Sequence, residues 1–309
     1  MKYIPAQSLR EVLDWLRQRR GFVIEHYMTQ KSLAINQYFE QCGLNAAAVG
    51  ISGGVDSALV LALLQYAQKQ PKSPLKHIIP LLIPIYSRGS SDQDIALARG
   101  KRLCEKLNIK PWICDLSTAQ QSYVDAFPIK EGAWAEGQLL SIVRTPALYY
   151  AAALLQSQGK KSLVVGTTNR DEGAYLGFFG KASDAMVDLQ PISDIHKSEV
   201  WALATHLGVP KEIVEAVPSG NVYDGRTDEE MIQAPYWFIE LYLMSKAQGL
   251  AIQTSILSTK EQALYHQFSQ AIERQHRTNA HKYRVGSPAV HLDVLPRGVP
   301  GGWICTHSL

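Results

Sequence analysis

The sequence has little excess charge of either sign. Its 309 residues include 31 Lys and Arg and 28 Asp and Glu, which gives a formal net charge of +3. A protein that binds nucleic acid usually concentrates positive charge on one face, because contacts to phosphate dominate the affinity. We therefore expect no nucleic-acid partner. Hydrophobic residues make up 46% of the chain and charged residues 19%, so a large core can form and global disorder is excluded.

Long apolar runs and paired cysteines are also missing. The longest apolar stretches are Ile78–Ile85, which two prolines interrupt, and Pro146–Leu155. A membrane-spanning helix needs roughly 20 apolar residues, and the N-terminal residues hold no apolar segment of a signal peptide. We therefore expect neither a membrane protein nor a secreted one. The four cysteines form no Cys-x-x-Cys pair, so neither a zinc site nor a disulfide framework is indicated, and the expected compartment is the cytoplasm.

Short apolar segments alternate with longer, helix-like ones along the chain. This alternation predicts an α/β fold, a doubly wound parallel sheet with helices on both faces, in which ligands bind at the carboxyl ends of strands. We expect a single domain over 1–309, with N-terminal helices in 1–44 and a loop-rich tail in 278–309. The predicted strands lie at 45–51, 77–85, 110–114 and 161–166. One or two helices are predicted over 8–41, and single helices at 57–68, 91–107, 138–156 (kinked at Pro146), 195–207, 228–246 and 258–274.

A glycine-rich turn follows the first predicted strand. It consists of Gly50, Ile51, Ser52, Gly53, Gly54, Val55, Asp56 and Ser57. Two adjacent glycines let the backbone approach an anion closely, and the free N–H groups of the following helix and the serine hydroxyls can donate to phosphate. Asp56 would hold Mg²⁺ on the phosphates, because two anions in direct contact would repel each other. The alternative is an ordinary strand-to-helix turn with Asp56 and Ser57 as caps.

This turn is not a P-loop, since no lysine follows the glycines. It is not a dinucleotide-binding loop either, since the glycine spacing is not G-x-G-x-x-G. It resembles the pyrophosphate loop of the N-type ATP pyrophosphatases. That resemblance implies a Rossmann-like fold of the adenine nucleotide alpha hydrolase type. It also implies a reaction in which ATP is split between its α and β phosphates and adenylates a carbonyl oxygen, after which a nitrogen or sulfur nucleophile displaces AMP.

A second segment resembles one branch of that superfamily, the NAD synthetases. The matching positions are Gly166-Thr167, Glu172, Gly177 to Lys181, Asp188 and Lys197, followed by Pro218-Ser219 and His281-Lys282. Several motifs in the same order and at matching spacing make this resemblance specific. It covers about residues 20 to 290.

The resemblance implies a role for each matching residue. It implies that Asp56, Glu172 and Lys197 are catalytic and that Asp56 and Glu172 are Mg²⁺ ligands. The implied ATP contacts are the glycine-rich turn from Gly50 to Ser57, Thr167, Lys197 and Ser219, and the implied contacts to deamido-NAD are Arg144, Lys181, Asp188, His281 and Lys282.

The implied reaction is the amidation of nicotinic acid adenine dinucleotide (deamido-NAD) by ammonia, with ATP as co-substrate. A free carboxylate is a poor acyl donor, and adenylation gives it a good leaving group. Groups that neutralise the charge growing on pyrophosphate are therefore needed, whereas a nucleophilic Ser or Cys is not. Only 49 residues precede the loop, so we expect no glutaminase domain and use of ammonia, which a separate glutaminase could supply. The resemblance also implies a homodimer.

The chain departs from the family pattern at three places. Pro146 stands where a second arginine follows Arg144, Thr168 competes with Thr167 for the ATP contact, and Ser219 replaces a threonine. We expect these departures to alter the binding of substrate rather than the reaction.

Other interpretations stay open at this stage. The chain could be another ATP pyrophosphatase, such as a tRNA-modifying enzyme, or a non-catalytic ATP-binding module. Taken singly, Lys181 and Lys197 could be surface lysines, and Glu172 beside Asp171 could be a solvated acidic pair. The histidines His196 and His206 are interpreted as structural.

Overall fold

A single parallel sheet forms the centre of the protein in a computed structural model, which describes residues 7–86, 92–129, 132–220, 225–252, 257–284, 290–291 and 294. The strands are β1 (Ala46–Gly50), β2 (His77–Leu82), β3 (Trp112–Ile113), β4 (Ser162–Val165), β5 (Leu189–Gln190) and β6 (Val290–His291). The helices are α1 (Gln7–Arg20), α2 (Ile24–Gln41), α3 (Val55–Gln68), α4 (Asp92–Leu107), α5 (Ser117–Ala126), α6 (Ala133–Ile142), α7 (Arg144–Ser157), α8 (Lys197–His206), α9 (Lys211–Val214), α10 (Asp228–Ile232), α11 (Tyr236–Ala247), α12 (Thr259–Asn279) and α13 (His281–Arg284), with a π-helix at Glu172–Leu176.

The strand order of the described sheet is β3-β2-β1-β4-β5-β6, with all neighbours parallel. The chain moves outward from β1 to β2 and β3, and then returns to pair β4 against the other side of β1. The two halves of the sheet therefore diverge between β1 and β4. A crevice for ligands opens at this point, beyond the carboxyl ends of the two strands.

Helices cover both faces of this sheet, as the sequence predicts. Alternate residues of a strand point to opposite faces, and in β1 the side chains of Ala47 and Val49 pack with α2, α3 and α8, whereas Ala48 packs with α7. Because both faces are covered, Ala46 to Val49 are fully buried. The apolar run of α3 is buried for the same reason.

A second apolar cluster lies beside the sheet. It joins α1, α11, α12 and the π-helix through side chains such as Leu13, Phe238 and Phe268. This cluster fixes the π-helix, whose first residue is Glu172, against two helices from the C-terminal third of the chain. The carboxyl ends of the strands thus form one side of the crevice. The added layer of helices forms the opposite side.

Prolines divide two segments that the sequence predicts as single helices. The predicted helix 138–156 is broken between α6 and α7, so Pro146 lies in the first turn of α7, where its missing N–H costs no hydrogen bond. The predicted helix 228–246 is also wrong. It ends at Ile232, Gln233 adopts a left-handed conformation, and α11 begins only after Pro235.

The far side of the sheet also differs from the prediction. Strand β5 has only two residues and carries no apolar run long enough to be predicted. Within the predicted loop-rich tail, the structure describes the short helix α13 and strand β6, which pairs with β5. No helix in the described residues is long and apolar enough to cross a membrane.

Candidate active site

The glycine-rich turn lies at the carboxyl end of β1, between the sheet and α3. Gly53 has a φ of +81°, and a Cβ there would lie 2.7 Å from the carbonyl oxygen and 2.9 Å from the Cα of Ala96. Only glycine fits, because a side chain would be strained in this conformation and would also clash with the backbone of α4. The Ser57 hydroxyl lies 3.1 Å from that of Ser52 and donates to the Gly54 carbonyl. The turn is therefore rigid before any ligand arrives.

The N-terminus of α3 faces this turn. Its N-cap is Gly54, which offers no side-chain acceptor to the first-turn N–H groups. These groups carry a partial positive charge because they have no acceptor within the helix. Asp56 lies in the same turn, where a carboxylate is favourable. Together the glycines, hydroxyls and amides can receive an anion such as a phosphate.

Lys197 brings the three predicted catalytic residues together. Its Nζ lies 2.7 Å from Oδ2 of Asp56 and 3.0 Å from Oε1 of Glu172. The lysine side chain is 2% exposed, whereas Asp56 and Glu172 are 19% and 15% exposed. One buried ammonium group thus links the helix after β1 to the π-helix after β4. Asp56 also accepts a hydrogen bond of 2.8 Å from Nδ2 of Asn169.

Charge and burial shift the pKa values of this cluster. Burial raises the pKa of Glu172 to about 7, although the ammonium group of Lys197 opposes that shift. Burial alone would lower the pKa of Lys197, but the carboxylates of Asp56 and Glu172 raise it. The pKa of Asp228 is raised, first by burial. Lys197 therefore stays protonated and offers a permanent positive charge at this point.

A buried pair directly behind the cluster fixes the start of α8. Oδ2 of Asp171 accepts from the backbone N–H of Lys197 at 2.7 Å, and its Oδ1 lies 2.6 Å from Nδ1 of His196. Burial raises the pKa of Asp171 to about 7 and lowers that of His196 to about 3. Asp171 is fully buried, so the interpretation of Asp171 and Glu172 as a solvated pair is wrong. His196 has the structural role that the sequence indicated.

The structure distinguishes the two threonines that follow β4. Thr168 is buried, its N–H donates to Oε1 of Gln190, and its hydroxyl lies 3.4 Å from Nε2 of the same side chain. Thr167 is only half-buried. Of the two, Thr167 is therefore the better placed to meet a ligand. Ser219 lies farther along the chain, in the loop before α10, and its hydroxyl donates to the carbonyl of Arg226 at 3.2 Å.

The predicted deamido-NAD contacts lie apart from the Lys197 cluster. Arg144, at the start of α7, donates to the Ile83 carbonyl and to Gln93, and burial lowers its pKa. Among the described residues no carboxylate pairs with it. Asp188 accepts from the Tyr149 hydroxyl at 3.1 Å and from the Val164 amide at 2.7 Å.

Lys181 and His281 are exposed, whereas the side chain of Lys282 is half-buried and hydrogen-bonded to backbone carbonyls. The ammonium group of Lys282 donates to the carbonyls of Gly177 and Phe179 at 2.7 and 2.5 Å. These carbonyls lie in the segment just before Lys181. In this structure Lys282 therefore secures the turn that presents Lys181.

Three site residues carry no sequence signal of their own. Asn169, Asp228 and Tyr236 all contact the carboxylates of Asp56 and Glu172 or each other. Asn169 is close to Thr167 in sequence and could have been suspected. Asp228 and Tyr236 lie far along the chain, in the segment predicted as one continuous helix, so their position depends on the break at Pro235.

The sequence profile of the NAD synthase family matches residues 27–286. The chain belongs to the NAD synthase family. It is 34% identical to the NH(3)-dependent NAD(+) synthetase of Methanococcoides burtonii over 70% of this chain and 77% of that protein, and 35% identical to the enzyme of the same name from Syntrophomonas wolfei over 68% and 80%.

A solved structure resembles most of the fold. The NMN synthetase of Francisella tularensis is 26% identical and superimposes with a TM-score of 0.68, covering 84% of this chain and 96% of that one. Membership in the NAD synthase family confirms the predicted α/β fold and the predicted ligase class. It also favours NAD synthesis over the tRNA-modifying alternative.

We predict that Gly53→Ala destabilises the glycine-rich turn and prevents ATP binding. The matched control is Gly159→Ala, since Gly159 also has a positive φ of +75° but a Cβ there meets nothing within 4 Å. The control should lose about 1–2 kcal/mol of unfolding free energy from backbone strain alone. Gly53→Ala should lose more, because α4 must also move. Urea unfolding and binding of a non-hydrolysable ATP analogue measure the two effects, and equal losses in both variants would contradict the prediction.

Proposed function

We propose that this protein amidates the nicotinate carboxylate of deamido-NAD with ammonia, using ATP and releasing AMP and pyrophosphate. The observation that carries the proposal is the buried ammonium group of Lys197 between Asp56 and Glu172, beside a rigid glycine-rich turn. This group lies at the switch point of a parallel sheet, where nucleotides bind. The NH(3)-dependent NAD(+) synthetases among the relatives support the same reaction.

In the first step, a carboxylate oxygen of deamido-NAD attacks the α phosphorus of ATP. The bond from that phosphorus to the oxygen bridging it to the β phosphate breaks, and pyrophosphate leaves with the electron pair. Negative charge therefore grows on pyrophosphate. The ammonium group of Lys197 and the N–H groups at the start of α3 can neutralise it. Both are held in place before the reaction, so little reorganisation is needed.

The carboxylates at the site fit a magnesium ion. Mg²⁺ is bound by oxygen, commonly through one or two carboxylates plus substrate phosphates and water. Asp56 and Glu172 provide two such carboxylates, both partly accessible, and the described residues hold no third acidic or histidine side chain that completes a protein-only metal cluster. A bound Mg²⁺ would supply Lewis-acid neutralisation of the phosphate oxygens.

In the second step, ammonia attacks the acyl carbon of the adenylate. The bond from this carbon to the AMP oxygen breaks, AMP leaves, and the nitrogen loses a proton to give the amide. Both steps need positioning and charge neutralisation, and neither needs a covalent bond to the protein. Cys104 is buried, and burial raises the pKa of its thiol to about 11, so it is not an activated nucleophile.

We assign the binding of deamido-NAD to the residues that the sequence predicts as its contacts. The guanidinium of Arg144 forms no ion pair among the described residues, although the charge of Asp184 acts on it, so it can bind an anionic group of the substrate. Lys181 is exposed and can meet a second such group, with Lys282 and His281 beside it on α13. Asp188 would accept from a substrate hydroxyl or amide in place of Tyr149. A cytoplasmic location and a separate glutaminase that supplies ammonia stay predictions.

A second candidate substrate is the mononucleotide, nicotinic acid mononucleotide. The observation that favours it is the likeness to an NMN synthetase over 84% of this chain. Pro146 also stands where the family pattern has a second arginine near Arg144. The mononucleotide lacks the adenylyl half of deamido-NAD, so contacts to that half are not needed. The chemistry at Lys197 would be the same for both substrates.

The experiment that tests the proposal compares substrates on the purified chain. We expect AMP and pyrophosphate to appear only when ATP, Mg²⁺ and deamido-NAD are all present, and the amide to form only when ammonia is added. Glutamine in place of ammonia should give no amide. The mononucleotide is measured in parallel, and the ratio of the two kcat/KM values decides between the two substrates.

Three results would argue against the proposal. Equal amide formation with glutamine would contradict the use of free ammonia. AMP release that needs neither nicotinate substrate would contradict the ligase reaction. ATP binding without any AMP release would instead support the non-catalytic alternative.

We predict that Lys197→Met abolishes most turnover. The variant leaves Asp56 and Glu172 facing each other without the cation between them, and it removes a charge that neutralises pyrophosphate. Loss of one such group typically lowers kcat by about 10²–10³. The matched control is Lys246→Met, because Lys246 also bridges a glutamate, Glu273 at 3.0 Å, but in the α11–α12 layer. AMP release measures both variants, and equal losses would contradict a special role for Lys197.

We propose that the chain forms a homodimer through α5, α6 and α7. Large apolar side chains are exposed there: Phe127, Ile129, Trp134, Ile142, Tyr150 and Leu154. Clustered apolar exposure of this kind is typical of an interface. We expect sedimentation velocity at micromolar concentration to give a dimer and Tyr150→Glu to give a monomer. Leu33→Glu, an equally apolar exposed position on α2 across the sheet, is the control and should leave the dimer intact. A monomeric parent chain would contradict the proposal.

A further inference from the structure

Tyr236 contacts the catalytic cluster from the far side of the crevice. It is the first residue of α11, and its side chain is almost fully buried. Its hydroxyl lies 2.8 Å from Oε1 of Glu172 and 3.3 Å from Oδ2 of Asp228. The ring lies edge-on to Trp201 and 4.8 Å from Nζ of Lys197.

The two donors to Glu172 meet at a single oxygen. Nζ of Lys197 lies 3.0 Å and the Tyr236 hydroxyl 2.8 Å from Oε1, and none of the described residues donates to Oε2. Two donors on one oxygen fix the rotation of the carboxylate about its last bond, because turning it would break both contacts. The other oxygen has no donor among the described residues and is available to a ligand.

The hydroxyl is needed for this arrangement, whereas the ring alone would fill the space. A phenylalanine would pack against Trp201 equally well and would avoid burying a polar atom, which is unfavourable unless that atom is hydrogen-bonded. The hydroxyl proton can serve only one acceptor at a time, and Glu172 is the nearer of the two.

We propose that Tyr236 is a positioning residue that holds Glu172 with Oε2 directed at the divalent cation of the ATP complex. The inference rests on the proposed function, in which Glu172 is a ligand of that cation. Removing a group that orients a metal ligand in this way commonly lowers the metal affinity about 10- to 100-fold. Tyr236 acts through Glu172 and needs no contact with either substrate.

The test variant is Tyr236→Phe, which removes the hydroxyl and keeps the ring. Its matched control is Tyr242→Phe on the same helix, because the Tyr242 hydroxyl donates to Glu273 at 2.6 Å, outside the crevice. Both variants lose one tyrosine-to-glutamate hydrogen bond, so a merely structural effect should appear in both. Thermal unfolding of the two variants measures that structural part.

The main readout is Mn²⁺ binding in the presence of a non-hydrolysable ATP analogue, followed by the electron paramagnetic resonance signal of free Mn²⁺. We expect Mn²⁺ affinity to fall about 10- to 100-fold in Tyr236→Phe and to be unchanged in Tyr242→Phe. In turnover, the Mg²⁺ concentration for half-maximal rate should rise by a similar factor. The KM for deamido-NAD should be unchanged, and saturating Mg²⁺ should restore kcat.

Wild-type Mn²⁺ affinity in Tyr236→Phe would overturn the inference and leave the proposed function standing. An equal loss in both variants would overturn it in favour of a structural role. A third variant, Glu172→Gln, separates the inference from its premise. If Glu172→Gln binds Mn²⁺ as tightly as the wild type, the assignment of Glu172 as a metal ligand fails, and the inference fails with it.

Discussion

The rest of the site depends on one buried ammonium group that holds two carboxylates from different parts of the chain. Lys197 lies 141 residues beyond Asp56 in sequence, and their side chains are 2.7 Å apart. Two carboxylates this close would repel each other and take up protons without a cation between them. The positive charge of Lys197 offsets this repulsion, because its Nζ lies within 3.0 Å of an oxygen of each carboxylate. The same positive charge is what a departing pyrophosphate requires.

The surrounding fold fixes each member of this cluster from a separate direction. Strand β1 delivers Asp56 through the rigid glycine-rich turn, and Asp171 fixes the backbone of Lys197 at the start of α8. Glu172 opens a π-helix, a rare element that often occurs at functional sites. Helix α12 secures that element, since the side chains of Asn279 and His276 bind the carbonyl oxygens of its last two residues.

Residues next to a recognisable pattern were predictable from the sequence, and residues brought in by long-range packing were not. The turn from Gly50 to Ser57 has the composition that a phosphate loop requires, whichever fold surrounds it. Tyr236 has no such pattern around it. It reaches Glu172 because Pro235 ends the preceding segment and starts α11 in a new direction, and the sequence alone predicted one helix across that point. Strand β5 was missed because two residues carry no periodicity.

The sequence by itself determined the class of fold, the glycine-rich turn and the family, because each depends on local order along the chain: strand and helix alternation, adjacent glycines and motif spacing. Only the tertiary structure decided that Asp171 is buried against His196, that Thr168 is occupied by Gln190 while Thr167 is not, and that Lys282 binds backbone carbonyls. The contacts of Asp171 and Lys282 join residues that are distant in sequence, and the contact of Thr168 distinguishes it from a neighbouring residue of the same type. Their pairing is set by strand order and helix packing, which no local pattern specifies.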